Sequence, residues 1–267
     1  MKQSRCQNLD IDLENPELLR FFDNPETLMS KASRRQRNAV RTHMVNENHI
    51  VPRTPQQAEF VKSIYQNDIS FGIGPAGSGK TFLASSLAAK ALNKGQIEGI
   101  VVCRPIIQAA GEDLGYLPGT LEEKADPYLR PMFDVFKKFW GQNEANSLKD
   151  NRAQGKFEYL LNKGVIEVCP LAFMRGRSFE NKWILCDEAQ NMSPDMMKML
   201  LTRLGEGSKI IVTGDPRQKD ISSANGFDVA YKKLRSCDSV GFTHFGLEDV
   251  VRHNTVKSVL DCWDKAA

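Results

Sequence analysis

Eight consecutive residues, Gly74-Pro75-Ala76-Gly77-Ser78-Gly79-Lys80-Thr81, have the types and spacing that cradle a polyphosphate. Glycines permit positive φ and let the backbone come close to a ligand. Successive amides then point inward as an anion nest at a helix N-terminus. In that arrangement Lys80 reaches the β- and γ-phosphates, and the Thr81 hydroxyl ligates Mg²⁺. A second cluster lies where the apolar run 183–186 ends in Asp187-Glu188. A strand ending this way presents both carboxylates at its C-terminal edge, where open α/β sheets bind ligands. Asp187 fits the Mg²⁺ role, and Glu188 fits the base that orients or deprotonates water. A third signal is Gly214-Asp215-Pro216-Arg217-Gln218, at the end of the apolar run 209–213. Gln218, at the tip of the strand beside the Asp-Glu strand, can hydrogen-bond the attacking water or the γ-phosphate and so sense hydrolysis.

Weaker signals surround these. Upstream of the loop, Pro52-Arg53-Thr54-Pro55-Gln56-Gln57 holds glutamines whose amide could match N6 and N7 of adenine. Met174-Arg175-Gly176-Arg177-Ser178 places two arginines around a glycine, suited either to phosphate contacts or to a solvated turn. The run 31–41 carries five positive charges and no negative one, which fits a solvated helical face, a flexible arm or a nucleic-acid contact. Leu129, Phe133, Phe136 and Trp140 recur at helical spacing with Arg130, Lys137 and Lys138 among them. Such a stripe reads as a core face before it reads as a basic-aromatic surface. His244 and His253 lack metal-ligand companions and read as structural.

The elements that must position these residues can be read from the pattern. Apolar runs at 69–73, 99–103, 165–169, 183–186, 209–213 and 240–245 read as strands, the first as a short buried one and the second as a parallel one. Helices are expected at 56–65, at 82–92, from Asp126-Pro127 onward, from Pro194 to Leu204 and at 256–264. Ser193 is the expected cap of the fourth and Gly205 its expected stop. The loop 111–119 is Gly-rich.

The chain has 267 residues, 41% hydrophobic and 26% charged, with a net charge of +3. These values fit a globular protein able to bury a sizeable core, and bulk charge alone does not argue for nucleic acid. The six cysteines form no C-x-x-C pair, and three lie in strand-like runs, so neither a disulfide framework nor a zinc site is expected. No apolar run follows the first five residues and no stretch is long enough to span a membrane, so a cytoplasmic location is expected.

Together these motifs resemble the PhoH-like ATPase family, from about Thr54 to Arg252. The resemblance rests on the phosphate loop, Arg104-Pro105, Leu114-Gly115-Tyr116-Leu117-Pro118-Gly119 and Asp126-Pro127-Tyr128-Leu129-Arg130-Pro131. It continues through Met174-Arg175-Gly176-Arg177, Asp187-Glu188-Ala189-Gln190, Leu201-Thr202-Arg203-Leu204-Gly205 and Gly214-Asp215. Asn254 stands after His253, where members often have Pro. The family resembles the first motor domain of superfamily-one helicases, with a RecA-like core, and is associated with phosphate starvation and RNA metabolism. The resemblance implies that Gln57 reads adenine and Gln218 senses the γ-phosphate.

The expected fold is therefore α/β: a P-loop NTPase with a RecA-like, mainly parallel sheet flanked by helices. A partly helical arm over 1–50 is expected to precede an ATPase domain over 51–267. The expected function is Mg²⁺-dependent ATP hydrolysis coupled to RNA or single-stranded nucleic acid. The alternatives are a P-loop kinase, or a slow ATP-dependent switch. The residues after Gln218 are too few for a second RecA-like lobe. A homo-oligomeric ring is therefore expected, and the resemblance suggests a hexamer. Arg175, Arg177, Arg203 and Arg252 are the candidate arginine fingers or phosphate contacts.

Overall fold

A computed structural model describes residues 50–105, 121–141, 155–218, 225–251 and 255. The arm over 1–49 with its basic run, the loop 111–119, Arg252 and the helix expected at 256–264 lie outside the described residues. Thr54 opens the domain by capping α1 (Pro55–Gln66), its hydroxyl accepting from the Gln57 amide. β1 (Ile69–Ile73) and α2 (Lys80–Asn93) follow, joined by the glycine loop. Next come β2 (Gly99–Cys103), α3 (Leu121–Gly141), α4 (Lys156–Asn162) and β3 (Ile166–Val168). β4 (Lys182–Cys186), α5 (Pro194–Leu201), β5 (Lys209–Gly214), α6 (Gly226–Leu234) and β6 (Val240–His244) complete the order.

The six strands form one sheet in the order β3-β2-β4-β5-β1-β6, and every pairing is parallel. Parallel sheets are covered on both faces, which is why these strands are continuous apolar runs rather than alternating ones. All five residues of β2 are buried. One core cluster gathers Phe71, Val101, Ile184, Ile210 and Val212 with Met192, Met197, Leu200 and Phe227 from the covering elements. The Phe71 ring stacks on Phe242 of the next strand at 4.6 Å. Cys103, Cys169 and Cys186 are buried free thiols and Cys237 is an exposed one.

The strand order determines the site. β5 lies between β1 and β4. The ends of these three strands therefore bring the glycine loop, the acidic pair and Gly214 to one edge of the sheet.

Two helix boundaries differ from expectation by three residues or more. α3 begins at Leu121, upstream of Asp126-Pro127, and continues through Pro131. Each proline removes one backbone donor. Burial of Leu129, Met132, Phe133, Phe136 and Trp140 outweighs that loss and makes the stripe a core face. α5 is capped by Ser193 as expected, but ends at Leu201 rather than Leu204. Gly205 is not its stop. Its amide donates to the Phe179 carbonyl at 2.8 Å, and a Cβ there would lie 2.3 Å from that oxygen. Gly205 is required by close backbone approach.

Candidate nucleotide-binding site

The loop after β1 has the backbone that its glycines allow. Gly74, Gly77 and Gly79 have φ of 149°, 86° and 87°. A Cβ on Gly74 would lie 2.5 Å from the Phe245 carbonyl oxygen, and one on Gly79 would lie 2.8 Å from the Gln57 amide nitrogen. Lys80, at the first turn of α2, is only 7% exposed. Its ammonium donates to the carbonyls of Gly74 (2.7 Å) and Pro75 (2.8 Å) and to Ser78 Oγ (3.1 Å). The Ser78 hydroxyl donates to the Pro75 carbonyl. Ala76 is half-buried within the same turn.

Two neighbours hold the loop. Gln57 on α1 is buried; it donates to the Ser78 carbonyl at 2.9 Å and accepts from the Arg53 amide at 2.7 Å. On the other flank, the segment after β6 runs alongside. The Phe245 amide donates to Ile73, the Val251 amide donates to Gly77, and the Phe245 ring lies 5.9 Å from the Lys80 ammonium.

Across the sheet edge, Asp187 is buried and accepts from Thr81 Oγ1 at 3.0 Å and from Thr213 Oγ1 at 2.6 Å. Burial pushes its carboxyl above the usual range; the Thr213 hydrogen bond opposes this, and the charge of Glu188 adds to it. A hydroxyl and a carboxylate side by side are hard oxygen donors, and together they fit Mg²⁺ held also by phosphate. The loop and this pair therefore fit a magnesium nucleotide.

Glu188 sits in the left-handed region, with φ of 55°, where a non-glycine residue is uncommon and strain gathers at functional sites. Its Oε1 lies 3.5 Å from Arg104 Nη2 at the end of β2, and its Oε2 accepts from Gln190 Nε2 at 2.6 Å. Gln190 is 1% exposed. Its Oε1 accepts from the Asp215 amide at 3.0 Å, and its Nε2 also donates to the Gln218 carbonyl at 3.4 Å. Gln190 therefore ties the tip of β4 to the tip of β5. Gly214 leaves room for it, since a Cβ there would lie 2.6 Å from Gln190 Oε1. The Gln218 side chain is exposed.

Of the expected arginines, the three among the described residues, Arg175, Arg177 and Arg203, are not gathered at this cluster. Arg203 donates to the carbonyls of Met199, Met174 and Arg177, bracing the loop after β3 against α5. Arg177 pairs with Glu167 at 2.6 Å and lies over the Phe179 ring. Arg175 is exposed on that loop. The arginine that the structure does bring to the acidic pair is Arg104. Arg104-Pro105 was visible in the sequence as a piece of the family resemblance, but without a role, because contact across two strands is not visible in spacing along the chain. Gln190 was visible in the Asp-Glu-Ala-Gln motif, without a role.

Among known proteins, the PhoH-like protein family matches residues 49–264. A PhoH-like protein of Bacillus subtilis is 43% identical over 80% of this chain and 63% of its own length. One from Synechocystis is 37% identical over 95% of this chain and 74% of its own. Protein PhoH of Escherichia coli is 39% identical over 76% of this chain and 55% of its own. The chain thus spans little more than half to three quarters of these relatives. Among solved structures, the large terminase of a thermophilic bacteriophage is similar at 15% identity and a TM-score of 0.47. That match covers 78% of this chain and 49% of the terminase. No helix among the described residues is long and apolar enough to cross a membrane.

Proposed function

The chain belongs to the PhoH-like protein family, and on that premise we propose that it is an ATPase that transfers the terminal phosphate of ATP to water. The observation that carries this reading is the placement of Glu188 beside the Thr81–Asp187 pair, held by Arg104 and Gln190 at the same sheet edge as Lys80. A phosphate loop alone would serve a kinase as well. A second carboxylate beside the metal-binding one has no task in simple binding, but it suits accepting a proton from water.

Each residue then has a role. Amides of residues 74–79 and the Lys80 ammonium bind the phosphates. Thr81 and Asp187 hold Mg²⁺, which when bound neutralises charge building on the transferring phosphoryl group. Glu188 takes the proton from water, with its carboxylate oriented by Arg104 and Gln190. Gln57, whose amide donates to Ser78 and accepts from Arg53, reads the adenine edge with its remaining proton and lone pair. Gln218 senses the γ-phosphate, and the Gln190 link passes that state between the strand tips. We extend the proposal to a homo-oligomer acting in the cytoplasm, coupling hydrolysis to RNA or single-stranded nucleic acid. The test is phosphate release from Mg·ATP without any acceptor, with and without single-stranded RNA, across a salt series. Release without acceptor, raised by RNA and less so at high salt, is expected, since phosphate contacts weaken steeply with salt. An enzyme idle until a small acceptor is supplied would be a kinase.

A further inference from the structure

We propose that the loop between β3 and β4 is a contact for single-stranded nucleic acid, in which Phe173 stacks on an unpaired base and Arg175 pairs with a neighbouring phosphate. The inference rests on the nucleic-acid clause of the proposed function and adds the place. Every strand of the sheet is parallel, so the loop leaves β3 at the edge that carries Lys80, Asp187 and Glu188. Its apolar anchors turn inward: Leu171, Met174 and Phe179 are all buried. Phe173 alone among its large apolar residues turns out, and it is 59% exposed.

That exposure is not slack in the loop. Arg203 holds the carbonyls of Met174 (3.5 Å) and Arg177 (2.8 Å), and the Arg177 amide donates to Met174. The Arg177 guanidinium is fixed by Glu167 at 2.6 Å and by the Phe179 ring at 4.6 Å. The ring of Phe173 is thus presented on a braced frame, at no gain in burial. Beside it Arg175 is exposed and has no hydrogen-bond or ion-pair partner among the described residues. Gly176 follows with φ of 79° and nothing within 4 Å of where its Cβ would stand. An open aromatic face, an uncommitted guanidinium and a bare backbone match the stacking and phosphate contacts of sequence-tolerant single-strand binding. Stacking needs a base free of its partner, so a duplex should not use the ring.

The test is fluorescence anisotropy of the full chain with a short labelled oligouridylate and with a matched duplex, across a salt series. Phe173→Ala should weaken oligouridylate binding by about fivefold or more, the usual weight of one stacked base. It should leave duplex binding and basal turnover unchanged, and Phe173→Trp should restore single-strand affinity. Arg175→Ala should flatten the slope of log affinity against log salt by about 0.7, one phosphate contact on a single strand. Wild-type binding with both alanine variants unaltered would overturn this contact while leaving the broader reading standing. Absence of wild-type binding would remove the nucleic-acid clause and this contact with it. A change of sedimentation mass in Phe173→Ala at unaltered RNA affinity would make the ring a subunit contact instead, and would likewise overturn the proposal.

Discussion

Glu188 combines a left-handed backbone with two donors on its carboxylate. Arg104 Nη2 stands 3.5 Å from Glu188 Oε1, a distance suited to orienting the carboxylate. Arg104→Ala is expected to lower kcat by about 10–100-fold with KM for ATP within about twofold, the signature of an interaction used in the transition state. Arg104→Lys should recover much of the loss. Loss of KM alone would contradict the role. Asp187 gives a second test, through pH. Its folded-state pKa is raised by burial, so its contribution to stability is full below the unfolded carboxylate value of about 3.9. That contribution is lost as pH rises through the folded value. In metal-free buffer, Asp187→Asn should therefore be more resistant to urea than wild type near neutral pH. The advantage should shrink toward pH 4, while Mg²⁺-dependent turnover disappears. Equal urea midpoints at neutral pH would contradict this account of Asp187. Lys80, Thr81, Asp187 and Glu188 were legible because each follows a strand end by a fixed number of residues. Arg104 and Thr213 were not, because their partner lies on another strand.

At the scale of elements, the strands could be read to within about a residue or two because a parallel, doubly covered sheet writes itself as unbroken apolar runs. Helices were read less well. α6 went unnoticed although Asn225 caps it by accepting from the Phe227 amide, and Lys232 and Lys233 sit in its last turn. Its opening Gly226 reads as a breaker, yet the glycine is needed there: a Cβ would lie 2.8 Å from the Ser193 carbonyl oxygen. Gly205 teaches the same lesson. Spacing marked it as a helix stop, whereas its lack of a side chain serves the pairing with Phe179 that joins the loop before β4 to the turn after α5. Gly205→Ala must push that backbone apart, and a loss of about 1–3 kcal/mol is expected, as for overpacking. Urea unfolding at fixed pH measures it, and an unchanged midpoint would mean that the two segments separate freely.

For the whole molecule, the question is what completes the site. An arginine on the transferring phosphate is worth about 10³–10⁵ in rate and can be supplied by a neighbour. Arg177 and Arg203 are spent on their own loop, so neither is free to reach that phosphate within the subunit, and we propose that a neighbouring subunit supplies it. A head-to-tail contact that closes makes a ring. Turnover per subunit should then rise with protein concentration and level off where sedimentation shows the assembled species. A monomer with a concentration-independent rate would contradict the ring. The central claim, that this edge of the sheet hydrolyses ATP with Glu188 as the base, has a more direct test. Phosphate release and nucleotide affinity should be measured together for wild type and Glu188→Gln, with Mg²⁺ and no acceptor. The account predicts unchanged affinity and a loss of turnover of about 10²–10⁴-fold, the weight of a general base. Wild-type turnover in Glu188→Gln, or lost affinity with the rate of bound nucleotide unchanged, would contradict it.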